Sequence, residues 1–476
     1  MPRRTIICIR HRIGIAVLLI LPMHRTAPAI LIAILSFLTT GQAIESASAR
    51  LIARDQRIRA AVANAPGAVV VRFASGKVRS FPASSTSEAA RGATLDAVFK
   101  LGTTLRNSTV FLGPGTFTIT SPLRGFSGTK LYGSGRNATL IKMADGSVDV
   151  GYFVFRCVEA ADPKTGYRYA SNCELRDLTV DVNRQNQLPG QFYGVGAQIM
   201  ASNAVISHVT CLNAGGNTYD ELFCLSIVAA GGVSGTFNTG LVRNALIDGC
   251  EVTSVAPGFN TIPIAITPIA INGSYTPNPS TPGDGWIVGG RITDCSVHGI
   301  TSGAGLLSFQ VSAASRVSIE NCSTYDNHSR FINGFYTDTG SLHHVRVSRN
   351  RFADVDVGVR LLCDSASYHR GTLIFANDIQ FRTADGIGVG KAGVEYSGNS
   401  RTSGFRVLNN RMALSQSIAG ATGVNLDRAA GGVILDNVID GFPIPVGLQF
   451  SDDAIVSRNT DAAGVPVAVG VGNPLP

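Results

Sequence analysis

The sequence predicts an all-β protein in which short strands stack as a solenoid. Two observations favour this fold class. The 476-residue chain contains 53 glycines and only 15% charged residues, a composition that suits short strands and tight turns better than helices. A short motif also recurs along the chain, and a unit that cannot bury its apolar side chains alone becomes stable when copies stack in register.

The recurring motif has four residues: an aliphatic residue, two variable residues, and a fourth that is aliphatic in the first two copies and Cys or Asn afterwards. The ten copies end at Leu178, Val209, Cys250, Cys295, Cys322, Asn350, Asn377, Asn410, Asn437 and Asn459. Stacked parallel strands lie about 4.8 Å apart, so the terminal Asn side chains should hydrogen-bond as an amide ladder. The three Cys residues fill the same inward position, which predicts packing residues rather than metal ligands.

A second element, a short alternating strand led by Gly or Pro, follows the later copies. It begins at Gly334, Gly358, Gly386, Gly423 and Pro445. If these strands are equivalent, alternation sends one set of residues inward: Phe335, Val359, Ile387 and Val424. Tyr336, Arg360, Gly388 and Asn425 then face outward, and so do Asp338, Leu362, Gly390 and Asp427 two residues further on.

The N-terminal segment is expected to direct export. Basic residues precede two apolar runs, Ile13–Leu21 and Ala29–Leu38, and small residues follow the second run. Neither run is long enough to span a bilayer, so residues 1–49 are interpreted as a signal peptide, with Met23 as an alternative start. A membrane anchor is the competing interpretation. Residues 50–110 then form a cap with short helices, and residues 111–476 form the solenoid.

The charge and the cysteine content limit which ligands the chain is expected to bind. Without residues 1–49 the net charge falls from +8 to +4, and no block of Lys and Arg typical of a nucleic-acid binder remains. In an oxidising compartment, Cys157 with Cys173 and Cys211 with Cys224 could each close a loop, or all four could stay buried thiols. The absence of a C-x-x-C motif disfavours zinc.

Residues 131–138 read LYGSGRNA and match the G-x-G-x-x-A spacing of a dinucleotide-binding loop. In such proteins the loop must open a helix. The following residues, TLIKMADGS, are β-branched and reach a turn within a few positions. The stretch therefore predicts a turn and no nucleotide site.

Residues 93–142, which read ATLDAVFKLG, TVFLGPGTFTI and SPLRGFSGTKLYGSGRNATLIK with short gaps, resemble the start of pectate-lyase superfamily proteins, and the coil motif extends the resemblance to the C-terminus. The resemblance implies a right-handed single-stranded parallel β-helix with an N-terminal helical cap. It also implies a carbohydrate-active protein that binds a polysaccharide along an outward sheet walled by loops. The chain lacks the N-T-D, D-D and G-H-G series of polygalacturonases and the R-x-P-x-x-R of classical pectate lyases, so the resemblance does not choose the reaction.

Candidate site residues follow from this arrangement. Proton abstraction beside a uronate carboxylate, as in a polysaccharide lyase or C5-epimerase, needs a group that neutralises the carboxylate and a base that removes the proton. Arg360 and Lys391 are the candidate residues that bind the carboxylate. Arg360 is not chosen as the base because an arginine is hard to deprotonate. Tyr336 or His369 is therefore the candidate base and acid. Further substrate contacts are expected from Gln310, His328, Arg330, Asn425 and Asp427.

Alternatives remain open at this point. No cofactor is certain, but calcium would neutralise the carboxylate if Asp338, Asp354, Asp356 and Asp364 converge. A glycoside hydrolase needs two carboxylic acids across the glycosidic bond, and Asp338 with Asp427 is the candidate pair. A non-catalytic surface or assembly protein is the third hypothesis. The expected location is secreted or periplasmic, the expected partner is a polysaccharide without nucleic acid or stable membrane insertion, and the oligomeric state is open.

Overall fold

The structure is a computed structural model. It describes residues 5–10, 16–21, 49–83, 85–147, 152–160, 170–187, 194–215, 221–230, 241–254, 260–269, 286–301, 305–337, 341–362, 369–381, 392–415, 419–449 and 453–471. The chain divides into two compact units, residues 1–61 and residues 62–476. In the first unit, β1 (Thr5–Arg10) pairs antiparallel with β2 (Ala16–Leu21), and helix α1 covers residues 49–63 and so continues past the boundary. The export signal expected at residues 1–49 stays a prediction.

A small cap opens the second unit. Strand β3 (Val69–Arg72) pairs antiparallel with β4 (Val78–Phe81) and with β5 (Thr109–Leu112). Helix α2 (Glu88–Phe99) lies between them in sequence, and Ser87 caps it by accepting a hydrogen bond from the Ala90 amide at 3.2 Å. Its buried residues include Leu95, Val98 and Phe99. This is the helix that the resemblance implied before the first coils, and a 3₁₀ turn at Gly102–Leu105 follows it.

The rest of the unit is a right-handed parallel β-helix with three sheets, as predicted. Sheet A contains β7 (Leu123–Gly125), β10 (Tyr152–Cys157), β12 (Gly194–Ile199), β14 (Glu221–Ala230), β17 (Asn260–Ile269), β20 (Gly305–Val311), β23 (Phe331–Thr337), β27 (Val357–Leu362), β31 (Ala392–Ser403), β34 (Thr422–Ala430), β37 (Ile444–Gln449) and β39 (Val469–Val471). One continuous apolar core runs inside the stacked coils.

Sheet B starts from the cap strand β5 and continues through the first halves of two long strands. It contains β5, β8 (Lys130–Tyr132), β11 (Glu174–Asp181), β13 (Val205–Leu212), β15 (Val242–Asp248), β18 (Ile287–Thr293), β21 (Ala314–Glu320), β24 (Leu342–His343), β25 (Arg346–Ser348), β28 (His369–Arg370), β29 (Leu373–Phe375), β32 (Arg406–Leu408), β35 (Val433–Leu435) and β38 (Ile455–Ser457).

Sheet C takes the second halves of β11 and β13. Its other strands are β6 (Gly115–Ile119), β9 (Thr139–Met143), β16 (Glu251–Thr253), β19 (Ser296–His298), β22 (Ser323–Tyr325), β26 (Arg351–Val355), β30 (Asp378–Phe381), β33 (Arg411–Ala413) and β36 (Val438–Asp440).

The four-residue motif forms the turn from sheet B to sheet C in every coil where it occurs. Its third residue adopts a left-handed conformation, with φ between 51° and 59° from Asp177 to Arg458. Asp, Asn and Gly, which tolerate this conformation best, occupy most of these third positions. The fourth residue then points inward and is buried in each copy.

The predicted amide ladder is confirmed. The side-chain Nδ2 of each Asn donates to Oδ1 of the next, at 2.9 Å from Asn350 to Asn377, 2.9 Å to Asn410, 3.0 Å to Asn437 and 2.8 Å to Asn459. The backbone amide of each donor residue also donates to the same oxygen. These buried bonds fix the register of five coils.

Sulfur occupies the same position in the three preceding coils, as predicted. The backbone amide of Cys250 donates to Sγ of Cys295 at 3.4 Å, and that of Cys322 donates to Oδ1 of Asn350 at 2.9 Å. Burial raises the pKa of the Cys250 and Cys295 thiols well above the usual value, so both are inert packing residues.

The two candidate disulfides have different outcomes. Cys157 and Cys173 are bonded, and the bond joins two positions that are 16 apart in the sequence. Cys211 and Cys224 are buried free thiols in adjacent coils. Cys211 Sγ would lie only 2.5 Å from a Cβ placed at Gly196, so this thiol fills the space that a side chain would otherwise take.

The leading glycine of the sheet A strands is a packing requirement. A Cβ at Gly334 would lie 2.4 Å from Cγ of Phe352 and 2.6 Å from the carbonyl oxygen of Gly358. At Gly423 it would lie 2.2 Å from Cγ2 of Ile439. The glycines therefore let sheet A approach the core side chains of sheet C.

Gly334→Ala should lower the free energy of unfolding by about 1–3 kcal/mol, because neither the buried Phe352 ring nor the backbone can yield freely. Denaturant titration measures this loss. Gly470→Ala is the matched control, since its Cβ would meet Cγ2 of Ile444 at 3.4 Å and the carbonyl oxygen of Val446 at 3.5 Å, both ordinary van der Waals contacts. Equal stability of the Gly334→Ala variant and the wild type would contradict the packing argument.

His343 introduces a pH dependence of stability. Its ring lies 5.0 Å from that of buried Trp286, and burial, followed by the charges of His344 and Arg370, lowers its pKa. The folded-state pKa thus lies below the unfolded value of about 6.5, so the unfolded chain binds more protons in that window. Stability should be intact above about pH 6.5 and fall as the pH drops through it. Thermal unfolding between pH 8 and 5 should show a weaker acid loss in His343→Gln than in the control His328→Gln, whose side chain is exposed.

Candidate functional site

Sheet A aligns one column of residue positions across its coils. Successive strands pair Arg124 with Arg156, then Gln198, Ser226, Ala265, Gln310, Tyr336, Arg360, Glu395 and Asn425. Four of the predicted site residues, Gln310, Tyr336, Arg360 and Asn425, therefore stand in one line. The predicted inward residues Phe335, Val359 and Val424 are fully buried in the core.

Tyr336 lies at the centre of this column. Its ring packs against a small outer cluster of Ile262, Ala265 and Leu307, which is separate from the main core. This packing leaves the Tyr336 side chain half-buried and holds its ring on the sheet surface. These contacts therefore restrict where the phenolic oxygen of Tyr336 can lie.

Arg360 follows Tyr336 on the next coil. Its guanidinium carbon lies 5.6 Å from the centre of the Phe331 ring, at the start of the neighbouring strand, and the side chain is half-buried. The cation therefore lies along the sheet surface in a partly desolvated position, where its attraction for an anion exceeds that of an exposed arginine.

The other residues predicted to contact substrate lie at different places around sheet A. Asp427 is half-buried on the strand of Asn425, two residues further on, and pairs in register with Gln449. His328 and Arg330 are exposed in the turn that precedes β23, where Nε2 of His328 lies 3.4 Å from the Asp326 carboxylate.

His369 lies apart from the column. It belongs to sheet B, is fully buried, and its Nε2 lies 3.1 Å from the carbonyl oxygen of Leu362. Asp338 and Lys391 lie outside the described residues, and so do Asp364 and Ile387.

One register assignment was wrong. The strand equivalent to Gly358–Leu362 in the next coil is not GIGVGK from Gly386 but AGVEYS from Ala392, because Val359 pairs with Val394 and Arg360 with Glu395. The column therefore contains Glu395 where Gly388 was expected, and the position two residues further on, in register with Leu362 and Asp427, is Ser397 where Gly390 was expected. Both segments share the Gly-led alternation, so the AGVEYS repeat was a signal that sequence reasoning overlooked.

No metal centre is found in the described part of the chain. No group of three or more His, Cys, Asp or Glu side chains there could hold an ion. Asp356, one of the carboxylates considered for calcium, is buried and accepts a hydrogen bond from the Ile332 amide at 2.8 Å. Asp354 is exposed, and its carboxylate accepts from the Asp326 amide at 3.4 Å.

The G-x-G-x-x-A stretch is a turn, as predicted. The amides of Gly133 and Gly135 donate to the carbonyl oxygens of Arg176 and Asp177, and the Ala138 amide donates to that of Gly135. These N–H groups are therefore already used within the protein and cannot cradle a phosphate. The chain continues from this turn into strand β9 rather than a helix.

Among the described residues, no helix combines the length and apolar character that a bilayer crossing requires.

Stacked coils with a column of aligned residues along sheet A define the class of this protein: a right-handed parallel β-helix with candidate site residues on one sheet. Part of the chain is similar to a known protein family. Residues 76–301 match the family model described as "Rhamnogalacturonase A/epimerase, pectate lyase-like". The match ends before Tyr336 and Arg360.

The chain is also similar, at low identity, to several solved structures. The A-module of the mannuronan C-5 epimerase AlgE6 of Azotobacter vinelandii is 19% identical, with a TM-score of 0.42 over 80% of this chain and 98% of that one. The surface adhesin PfbA of Streptococcus pneumoniae is 13% identical, with a TM-score of 0.44 over 81% and 92%. The catalytic domain of a GH87 α-1,3-glucanase is 12% identical, with a TM-score of 0.39 over 80% and 66%. No curated protein sequence matches the chain. These likenesses decide nothing about the reaction.

Proposed function

We propose that this protein is a polysaccharide lyase or C5-epimerase that removes the proton beside a uronate carboxylate, with the outward column of sheet A as its active centre. The observation that carries the proposal is the register that places Tyr336 and Arg360 side by side on adjacent strands, about 4.8 Å apart. The partial match to a family of pectate-lyase-like rhamnogalacturonases and epimerases supports a uronate-containing substrate.

In this mechanism Arg360 binds the carboxylate and stabilises the negative charge that develops on it when the C5–H bond breaks. A guanidinium presents paired donors that match the two carboxylate oxygens. Because half-burial already orients Arg360 over Phe331, little reorganisation is needed when the charge appears.

Tyr336 is assigned the proton transfers. As the base, Tyr336 acts in its phenolate form, whose oxygen accepts the C5 proton. In elimination, the electron pair of the C5–H bond forms the C4–C5 double bond, the bond from C4 to the glycosidic oxygen breaks, and Tyr336 returns the proton to the departing oxygen. In epimerisation, a water molecule donates a proton to the opposite face of C5, Tyr336 releases the abstracted proton to the resulting hydroxide, and the glycosidic bond stays intact.

Incubation of uronate polymers in D₂O tests the proposal. An epimerase incorporates deuterium at C5, and a lyase produces the ultraviolet absorbance of an unsaturated uronate. If new reducing ends appear without either signal, the proposal is wrong and the protein is a glycoside hydrolase. If every uronate polymer stays unaltered, a binding or display role replaces it.

Action outside the cytoplasm, secreted or periplasmic, is part of the same proposal. It rests on the basic and apolar pattern of residues 1–49 and agrees with the disulfide between Cys157 and Cys173, since such bonds persist in oxidising compartments. Cell fractionation and N-terminal sequencing of the mature protein check it. A cytoplasmic protein that retains residues 1–49 would contradict this location.

A further inference from the structure

The outer face of sheet B carries a line of arginines. Strand pairing places Arg291 in register with Ser318, Ser318 with Arg346, Arg346 with Leu373, and Leu373 with Arg406. Every second coil therefore presents an arginine at the same position, and successive arginines lie roughly 9.6 Å apart at about 4.8 Å per coil. Arg291 and Arg406 are exposed, and the side chain of Arg346 is 39% exposed, so a ligand in solvent can reach all three.

Two further arginines fill the coils between them. Arg316 lies two residues before Ser318 on β21, and Arg370 lies three residues before Leu373, at the end of β28. Both are exposed. Each of five successive coils thus contributes one cation to this face. We call the five residues the arginine strip: Arg291, Arg316, Arg346, Arg370 and Arg406.

The arginine strip is mostly without counter-ions. Apart from Arg346, no member of the strip forms an ion pair within the described part of the chain. The sheet B strands from β18 to β32 contain one carboxylate, Glu320. It lies 3.0 Å from Nη2 of Arg349 and 3.7 Å from Nε of Arg346, so its charge is already shared. The strip therefore keeps an excess of positive charge that faces solvent.

The same coils balance their charges on sheet C. There Asp378 pairs in register with Arg351 on one side and with Arg411 on the other. A carboxylate between two arginines is thus compatible with the coil geometry. Sheet B has Ser318 and Leu373 at the corresponding places, which leaves its arginines available to an external anion.

The spacing of the cations indicates the shape of that anion. The strip follows stacked strands and is therefore straight, and the four coil steps from Arg291 to Arg406 span roughly 19 Å. A sugar unit in an extended polysaccharide advances by about as much as one coil. In a flat chain, the carboxylates on one side recur at every second sugar, which matches the line of arginines at every second coil.

A nucleic acid fits the strip less well. Its phosphates recur about every 3.4 Å along a strand, so most of them would face no arginine. Binding of single strands also uses aromatic rings on which bases stack. Phe375 is the one Phe, Tyr or Trp residue in the sheet B strands from β18 to β32, and the guanidinium carbon of Arg346 already lies 5.8 Å from the centre of its ring.

We propose that the arginine strip is a second, non-catalytic binding site, which holds an acidic polysaccharide along sheet B. Each guanidinium presents paired donors to a carboxylate of the chain. The site lies on a different sheet from Tyr336 and Arg360 and does not depend on the reaction proposed for them.

Equilibrium binding of a polyuronate to the full chain tests the strip. Every protein compared carries Arg360→Ala, which keeps the contribution of sheet A constant and small. Adding Arg291→Gln with Arg406→Gln should weaken binding about tenfold or more at about 0.15 M salt, where long-range charge effects are screened. The fall of affinity with rising salt should also become shallower, because fewer counter-ions are released. Adding Arg351→Gln with Arg411→Gln instead removes the same charge from sheet C and should change the affinity less than about twofold.

The outcomes that overturn the inference are distinct. Thermal unfolding first confirms that both double variants are folded. If the sheet B variant binds the polyuronate as tightly as its parent, the strip is not a binding site. If the sheet B and sheet C variants lose the same affinity, binding depends on net charge alone and the inference is wrong.

Other anions test the class of ligand. A single-stranded oligonucleotide and vesicles that contain an anionic lipid are titrated with the same proteins. If either loses more affinity than the polyuronate when the strip is changed, the assignment to a polysaccharide is wrong. If deuterium exchange and the chromophore are absent while polyuronate binding still depends on the strip, the proposed reaction fails and the strip stands.

Discussion

Replacing Arg360 with alanine should reduce turnover of a uronate polymer by about 10²–10³-fold, the usual effect of removing one charge-stabilising donor. The reason is that Arg360 stands on the strand next to Tyr336 and is the cation in register with it. The loss should appear mainly in kcat, because the negative charge on the uronate grows as the proton leaves. Initial rates over a range of substrate concentrations measure it.

Two variants separate a role in the reaction from a general effect of charge. Arg360→Lys keeps the charge but loses the paired donors, so it should recover only part of the lost rate. Arg411→Ala removes an exposed arginine from sheet C and should leave turnover unchanged. If a folded Arg360→Ala variant keeps full activity, the active centre does not lie in this column.

Asn410→Ala should lower the free energy of unfolding by about 2–4 kcal/mol, because it breaks the amide ladder at its middle. Oδ1 of Asn410 accepts from the backbone amide and from Nδ2 of Asn377, both at 2.9 Å. Nδ2 of Asn410 donates to the carbonyl oxygens of Ile374 and Leu408 and to Asn437. Alanine leaves these buried groups unpaired, and urea titration followed by circular dichroism measures the loss.

The neighbouring residue provides the control. Asn409 is exposed and left-handed, with φ of 55°, so Asn409→Gly keeps the turn and should change stability by less than about 0.5 kcal/mol. Asn410→Cys should lose less than Asn410→Ala, since sulfur fills this position at Cys250, Cys295 and Cys322. Similar stability of Asn410→Ala and the wild type would show that the ladder is dispensable.

The turn motif could be predicted from the sequence because its signal is local. An aliphatic residue, a left-handed position suited to Asp, Asn or Gly, and an inward Asn or Cys follow one another within four residues, and each copy repeats the same requirement. Stacking then converts this local pattern into the amide ladder. The inward and outward residues of β23, β27 and β34 were predictable for the same reason, since alternation is a property of the strand itself.

The register of β31 could not be obtained in this way. GIGVGK and AGVEYS both present a glycine and an alternating apolar strand within one coil, and coil length varies too much to exclude either. Hydrogen bonding to β27 and β34 favours the second segment and brings Glu395 between Arg360 and Asn425. Pairing between strands distant in sequence therefore decided which side chains share the column.

The sequence by itself determined the fold class, the coil turns, the amide ladder and the line from Gln310 through Tyr336 and Arg360 to Asn425, because these depend on periodicity and on residues that tolerate one backbone conformation. Only the tertiary structure decided that His369 is buried in sheet B, that Cys211 and Cys224 stay reduced, and that the polar atoms of Gln198, Gln310 and Asn333 lack partners. Burial and hydrogen bonding depend on which atoms neighbouring coils bring together, and no local pattern contains that information.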